Sequence, residues 1–117
     1  MNAGQGNSFK VKKYCYDLSD FDAVKSFTDE IIKDFDPENG ELGQLDCMVN
    51  NAAIFDDKGP NKSKDGKYEQ TFMVNVLAPF YMTQRVLTEM KCQPQRVILT
   101  SSISHTDCQI HLNNLDY

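Results

Sequence analysis

The sequence has no excess of positive charge and no long apolar run. Its 12 Lys and Arg residues are outnumbered by 17 Asp and Glu residues, which gives a net charge of -5. Such a chain repels phosphate backbones and anionic lipid, so we expect neither nucleic acid nor a membrane surface as a partner. A membrane-spanning helix needs about 20 apolar residues in succession, and no such run occurs. We therefore expect no membrane segment in this chain and an intracellular, cytoplasmic protein.

Closely spaced cysteines are also absent. No Cys-x-x-Cys pair is found among the four cysteines, which are Cys15, Cys47, Cys92 and Cys108. The two histidines, His105 and His111, lack an Asp, Cys or Glu partner at the spacing of a catalytic triad or metal site. We predict no metal site, and we interpret the cysteines as unpaired side chains in a reducing compartment.

The composition is that of a globular protein, with 40% hydrophobic and 25% charged residues. A chain of 117 residues holds one domain at most. Three stretches have the pattern of β-strands, and the last two are short apolar runs typical of strands covered on both faces. The predicted strands are Phe9–Tyr16, Leu45–Val49 and Arg96–Thr100.

Two helices are predicted between these strands. The first follows Ser19, which we predict as its N-cap, and has apolar residues at helical spacing as far as Phe35. The second is long, is predicted to be capped by Asp65, and is interrupted by Pro79. The order strand, helix, strand, helix, strand predicts an α/β architecture with a parallel sheet.

Ligands of such sheets bind outside the carboxyl ends of the strands, so the residues that follow each strand are the first candidates for function. Asp17 and Leu18 follow the first predicted strand, and Ser101 and Ser102 follow the third. The stretch Asn50-Asn51-Ala52-Ala53 follows the second. On local sequence alone, the alternatives are a helix cap for Asp17, a turn for the Asn-Asn-Ala-Ala stretch and turn residues for the serines.

These motifs, in this order, resemble those of the short-chain dehydrogenase/reductase family. The family has an Asp-hydrophobic pair after its third strand, Asn-Asn-Ala-Gly after its fourth, an Asn in the next helix and a Ser pair after its fifth. The stretch from Asp65 to Phe80, with Val74-Asn75-Val76-Leu77, is similar to that of retinol-dehydrogenase-like members. The resemblance implies a partial Rossmann-like fold, a doubly wound parallel sheet. It also implies that residues 1–117 are the central fragment of a single NAD(P)-binding domain.

The resemblance also implies a role for each motif. Asp17 and Leu18 would contact the adenine of NAD or NADP, and the small residues of the Asn-Asn-Ala-Ala stretch would let the cofactor approach the main chain. The family usually has Gly where this chain has Ala53, which puts contacts that need a positive φ in doubt. Ser102 would hydrogen-bond the substrate carbonyl. The Asn75 backbone carbonyl would hold a water of the proton relay.

Pro79 supports the role of Asn75 independently of the family. It lies four residues after Asn75 and has no N–H, so it cannot make the helical hydrogen bond that normally occupies the Asn75 carbonyl. We therefore predict that this oxygen accepts no bond from another protein group. An ordinary helix kink with an exposed Asn is the alternative.

Two motifs that the family's chemistry requires have no counterpart here. Gly4-Gln5-Gly6 follows no strand, so it does not make the Gly-rich turn that binds a pyrophosphate at a helix N-terminus. No Tyr-x-x-x-Lys is present, and Tyr117, the only tyrosine after Ser102, has no lysine after it. We expect a truncated chain that is inactive by itself, with sheet edges available for self-association.

The sequence thus predicts an oxidoreductase that transfers hydride between NAD(P)(H) and a small carbonyl or alcohol substrate. The alternative is a catalytically inactive fragment or isoform that at most binds a nucleotide or a partner.

Overall fold

A computed structural model describes residues 11–55, 58–59, 61–107 and Asn113. The remaining residues lie outside this description. They include the start of the first predicted strand, the glycines of Gly4-Gln5-Gly6, and the residues Cys108, His111 and Tyr117. The described elements run in the order α1 (Phe21–Asp34), β1 (Cys47–Asn50), α2 (Gln70–Phe72), a π-helical turn (Met73–Leu77), α3 (Ala78–Glu89), β2 (Arg96–Leu99) and a 3-10 helix (Ile103–Asp107).

The sheet consists of β1 and β2, which pair in parallel in the register Cys47 to Arg96 through Asn50 to Leu99. One further bond, from the Thr100 N–H to the Asn50 carbonyl at 3.0 Å, carries the pairing past the end of β2. The second and third predicted strands are thus confirmed as parallel neighbours. The chain has a partial Rossmann-like α/β fold, as predicted.

The first predicted strand, Phe9–Tyr16, is wrong for its described part. Residues 11–16 are in no strand or helix. They lie along α1, where Tyr14 and Tyr16 pack against the Phe27 ring with centroid distances of 5.5 and 5.1 Å. A strand needs a neighbour to satisfy its backbone groups, and this alternating sequence packs its side chains on a helix instead.

Helix α1 begins one residue later than predicted. Its N-cap is Asp20, whose carboxylate accepts the N–H groups of Asp22 and Ala23 at 3.1 and 3.3 Å. Ser19, the predicted N-cap, is buried, and its hydroxyl donates instead to Asp17 at 2.7 Å. Two short polar side chains compete at this helix end, and the sequence alone did not distinguish them.

The long helix also begins later than predicted, at Gln70, with Glu69 as the N-cap. The Asp65 carboxylate stabilises the preceding turn, where it accepts the Ser63 hydroxyl at 2.6 Å. Gly66 has a φ of 73°, a left-handed conformation that a helix cannot include. The predicted interruption at Pro79 is a π-helical turn, in which the Ala78 N–H donates to the Met73 carbonyl five residues back.

The core lies between α1, the long helix and one face of the sheet. Leu18, Met48 and Tyr81 are among the partly buried residues packed on it. In the described part of the chain nothing covers the opposite face of the sheet, where Val49 is 58% exposed and Ile98 is 46% exposed. Parallel strands are usually covered on both faces. The fully or nearly fully buried residues of this core are Val24, Met73, Ala78 and Met82.

Candidate functional site

A cavity of about 610 Å³ opens at the carboxyl ends of β1 and β2, beside α3. Its position follows from the parallel pairing, which brings the segments after both strands to the same end of the sheet. Five of the eight predicted site residues line it: Asn50, Ala52, Ala53, Asn75 and Ser102. The structure therefore brings together residues that are 52 positions apart in the sequence, from Asn50 to Ser102.

The Asn75 side chain fixes the segment that follows β1. Its Nδ2 donates to the Ile54 carbonyl at 2.8 Å, and its Oδ1 accepts the Ile54 N–H at 2.9 Å. Asn75 lies within the π-helical turn, the segment that adjusts the helix to Pro79. Because both side-chain groups bind the backbone, the amide holds the wall of the cavity. The role predicted for the Asn75 backbone carbonyl stays a prediction.

Asn50, which ends β1, and Asn51, which follows it, connect this strand end to α3 and to the segment after β2. The Asn50 Nδ2 donates to the Thr83 hydroxyl of α3 at 3.0 Å. The Asn51 Oδ1 accepts the Thr100 hydroxyl, also at 3.0 Å, although Asn51 does not line the cavity. These side chains thereby hold the strand ends in place. Ala52 and Ala53 are exposed and leave the backbone between them accessible from the cavity.

Ser102 follows the end of β2 and lines the cavity, and it is exposed. Its hydroxyl donates to the Ser104 hydroxyl at 3.1 Å and accepts the Ser104 N–H at 3.2 Å. Ser101 lines the cavity as well. The Ser102 hydroxyl has one proton, which the Ser104 hydroxyl accepts in this structure, so donation to a substrate oxygen requires the Ser102 proton to exchange that partner. Catalysis by Ser102 remains a prediction.

Asp17 and Leu18 do not line the cavity. The Asp17 Oδ1 accepts both the N–H and the hydroxyl of Ser19, at 2.9 and 2.7 Å. These bonds hold the pKa of Asp17 below its usual value, so it is an anion at neutral pH. The Leu18 side chain packs on the core. Asp17 is therefore a capping-type residue of a tight turn in this structure, and its contact with adenine stays a prediction.

Three polar residues of the cavity were not identified from the sequence: Thr83, Gln84 and Thr100. Thr100 was predicted as the last residue of the strand Arg96–Thr100, whereas β2 ends at Leu99 and Thr100 is the first residue after it. Thr83 lies one helical turn after Pro79, which also lines the cavity. That spacing was a usable signal. The apolar part of the wall comes from Val76, Pro79, Phe80 and Leu99.

Within the described part of the chain, no group of three or more His, Cys, Asp or Glu side chains is arranged to hold a metal ion. Among the same residues, no helix combines the length and the apolar character needed to cross a membrane. The polar groups around the cavity are amides and hydroxyls, a donor set suited to the hydroxyl, amide and carbonyl groups of an organic ligand.

Comparison with curated proteins found relatives that are longer than this chain. Retinol dehydrogenase 13 of Mus musculus is 28% identical over 109 residues, which cover 92% of this chain and 30% of that protein. The dehydrogenase/reductase family member FEY of Arabidopsis thaliana is 29% identical over 89% of this chain and 26% of its own length. Galactitol 2-dehydrogenase of Agrobacterium fabrum is 36% identical over 68% of this chain and 27% of its own.

The chain thus spans less than a third of the length of these relatives. No solved structure was found to match it. The model of one family, described as short chain dehydrogenase, matches residues 2–113, nearly the whole sequence. This match and the relatives agree with the arrangement of the strand-end motifs around one cavity. The chain belongs to the short-chain dehydrogenase family.

Proposed function

We propose that this chain is part of the NAD(P)-binding domain of an oxidoreductase that transfers hydride between NAD(P)(H) and a carbonyl or alcohol substrate. The observation that carries the proposal is the convergence of Asn50, Ala52, Ala53, Asn75 and Ser102 on one cavity at the carboxyl ends of parallel strands. The family and its dehydrogenase relatives support the same reaction class.

The cavity fits part of such a cofactor. Ala52 and Ala53 have the small side chains that let a ribose or a flat ring approach the backbone, and both are exposed. The hydroxyls of Thr100 and Ser101 are polar partners on the facing segment. When bound, NAD(P) supplies the hydride acceptor or donor. The protein would orient the cofactor by the wall of the cavity, which the Asn75 side chain holds in place through its two hydrogen bonds to the Ile54 backbone.

Ser102 is the residue proposed to bind the substrate oxygen. Its hydroxyl is exposed at the rim, and the neighbouring Ser104 N–H fixes the position of its oxygen. A donor at this point stabilises the negative charge that develops on the oxygen as hydride reaches the carbon. The printed sequence has no Tyr-x-x-x-Lys to exchange the proton. For the 117-residue chain itself we therefore propose nucleotide binding without turnover.

Titration of the purified chain with NADH and, separately, NADPH tests the binding. Nicotinamide fluorescence reports the bound fraction, and we expect saturable binding of at least one of the two. Ala53→Leu should weaken it by about tenfold, because the added atoms fill the space beside the backbone. Ala23→Leu is the matched control, since Ala23 lies on α1 and does not line the cavity.

Equal binding by Ala53→Leu and by the unchanged chain would contradict the site. If neither the unchanged chain nor either variant binds NADH or NADPH, the proposal that this chain binds NAD(P) is wrong. The same samples test the expectation on turnover. With a carbonyl substrate added we expect no oxidation of NADH, and steady oxidation by the 117-residue chain would overturn that expectation.

A further inference from the structure

Residues 11–16, here called the N-terminal strap, are attached to α1 by side chains. The Lys12 ammonium pairs with Asp34 and with Glu30, the latter at 3.2 Å. The Tyr14 hydroxyl donates to Asp34 at 2.5 Å, and the Tyr16 hydroxyl donates to Glu30 at 2.6 Å. Two carboxylates of α1 therefore bind three strap residues.

The strap uses alternate residues for this attachment. Lys12, Tyr14 and Tyr16 contact α1, Tyr16 while still 38% exposed, whereas Val11, Lys13 and Cys15 are exposed, Val11 to 91%. On the helix, Glu30 and Asp34 are four residues apart and so lie on the same face, one turn from each other. Every second residue of the extended strap and every fourth residue of the helix recur at similar distances along their axes. The binding groups of the strap and of α1 therefore lie opposite each other along one line of contacts.

Asp34 is the stronger of the two attachment points. Its side chain is only 7% exposed, and it accepts bonds from both Lys12 and Tyr14. The Lys12 ammonium, followed by the Tyr14 hydroxyl, holds the pKa of Asp34 below its usual value. Burial and the bond to Asp34 raise the pKa of Tyr14 to about 12. At neutral pH, acceptor and donor are both in the protonation states that the contact needs.

The strap continues directly into Asp17, the predicted adenine contact. On its other side Asp17 is fixed by the start of α1, because its carbonyl accepts the Asp20 N–H at 3.1 Å. Its carboxylate is held by Ser19. The strap thus supplies the restraint on the N-terminal side of Asp17.

We infer that Glu30 and Asp34 are positioning residues for nucleotide binding, which hold the strap on α1 and thereby fix Asp17 where it contacts the adenine. This inference rests on the proposed function and on the adenine contact that the family resemblance implies for Asp17. It assigns a binding-related role to two helix residues that lie outside the strand-end cavity. Neither residue touches the nucleotide in this account, so both act through the strap.

Two measurements on the purified 117-residue chain test the inference. The first is the set of NMR contacts between the Tyr14 and Tyr16 rings and the Phe27 ring, which report a docked strap. The second is the affinity for 5′-AMP, which carries the adenine, compared with that for nicotinamide mononucleotide, which does not. The variants are Glu30→Gln with Asp34→Asn, and a gentler pair, Tyr14→Phe with Tyr16→Phe, which removes only the two hydroxyls.

Asp29→Asn is the matched control. Asp29 is an α1 carboxylate that pairs with Arg85 at 2.8 Å and has no contact with the strap. We expect both double variants to lose the ring contacts and to weaken 5′-AMP binding by about tenfold, with mononucleotide binding unchanged. Asp29→Asn should change neither measurement.

The outcomes separate the inference from the proposed function. Failure of the unchanged chain to bind either nucleotide would overturn both. Normal 5′-AMP affinity in variants whose strap has detached would overturn the inference alone. Ring contacts that persist in both double variants would also overturn it, since Glu30 and Asp34 would then not hold the strap. Equal weakening of both nucleotides would indicate general unfolding and count against a positioning role.

Discussion

Strands β1 and β2 and the N-terminal strap show that similar sequence patterns can form different structures. The apolar runs before Asn50 and Thr100 form strands because each supplies the other's partner, in a register of four residue pairs. The alternating residues 11–16 have equal strand character but pack on α1 through side chains. A β-strand forms only by hydrogen bonding to a partner strand, so a strand-like pattern in one segment predicts a strand only where a second segment can pair with it.

The largest effect is expected from a change in the core between α1 and the long helix. Met73 is fully buried in the core shared by α1 and the long helix. Met73→Ala should lower the free energy of unfolding by roughly 2–5 kcal/mol through lost contacts and a cavity. Urea unfolding followed by helical circular dichroism measures this loss. Met73→Leu is the control and should cost under about 1.5 kcal/mol. Equal values for the two variants would contradict a common core.

A smaller loss of stability is expected from a change at Gly40, in the loop that follows α1. A Cβ added to Gly40 would lie 2.3 Å from the Asp34 carbonyl oxygen and 2.5 Å from that of Asp36. Gly40→Ala should therefore destabilise α1 by about 1–3 kcal/mol. In Gly43→Ala the added atom meets nothing within 4 Å. There only the left-handed φ of 77° opposes the change, at about 1–2 kcal/mol. Local amide exchange at the end of α1 should rise in the first variant only.

A change at Asn75 tests the strand-end region alone. Asn75→Ala removes both hydrogen bonds to the Ile54 backbone. We expect a loss of about 1–2 kcal/mol, seen as faster hydrogen exchange of the Ile54 amide, with the strap contacts unchanged. Thr88→Ala is the control, because its hydroxyl bonds only within α3. An unchanged Ile54 exchange rate would show that the side chain does not hold this wall.

The smallest effect near neutrality is the pH dependence of the strap. Tyr16 and Lys12 lower the pKa of Glu30, and Lys12 and Tyr14 lower that of Asp34. A lowered folded-state pKa gives stability that is present above the ordinary carboxyl value of about 4 and is lost as the pH falls through the folded value. The Tyr16 to Phe27 ring contact should therefore persist from about pH 7 to pH 5 and disappear only at more acid pH. Loss near pH 6 would contradict this assignment.

The element types were predictable from residue patterns, whereas several boundaries were not. Strands β1 and β2 were predictable because each is a short apolar run of similar length, and a helical segment lies between them in the sequence. The helix starts depended on competition between adjacent side chains, Ser19 against Asp20, and on Gly66, whose positive φ delays the long helix. The first strand was wrongly predicted for its described part because residues 11–16 pair with no strand in the described part of the chain. A local sequence pattern does not specify which other part of the protein a segment packs against.

The candidate site was predicted in part for the same reason. Asn50, Ala52, Ala53 and Ser102 follow strands, and their common position is a consequence of parallel pairing. Thr83 could be found from its spacing to Pro79, whereas the π-helical turn before α3 shifts the register of the helix in a way that helical spacing does not predict. The two bonds from Asn75 to Ile54 depend on a loop path that the sequence does not specify.

The central claim is that the strand-end cavity binds the nicotinamide cofactor. Titration of the isotopically labelled chain with NADH, observed by amide NMR, tests it most directly because each residue reports separately. We predict saturable shifts at Asn50 to Ala53 and at Thr100 to Ser102, with little change in the second half of α1. Shifts that avoid both strand ends, or no shifts at any concentration reached, would contradict the account.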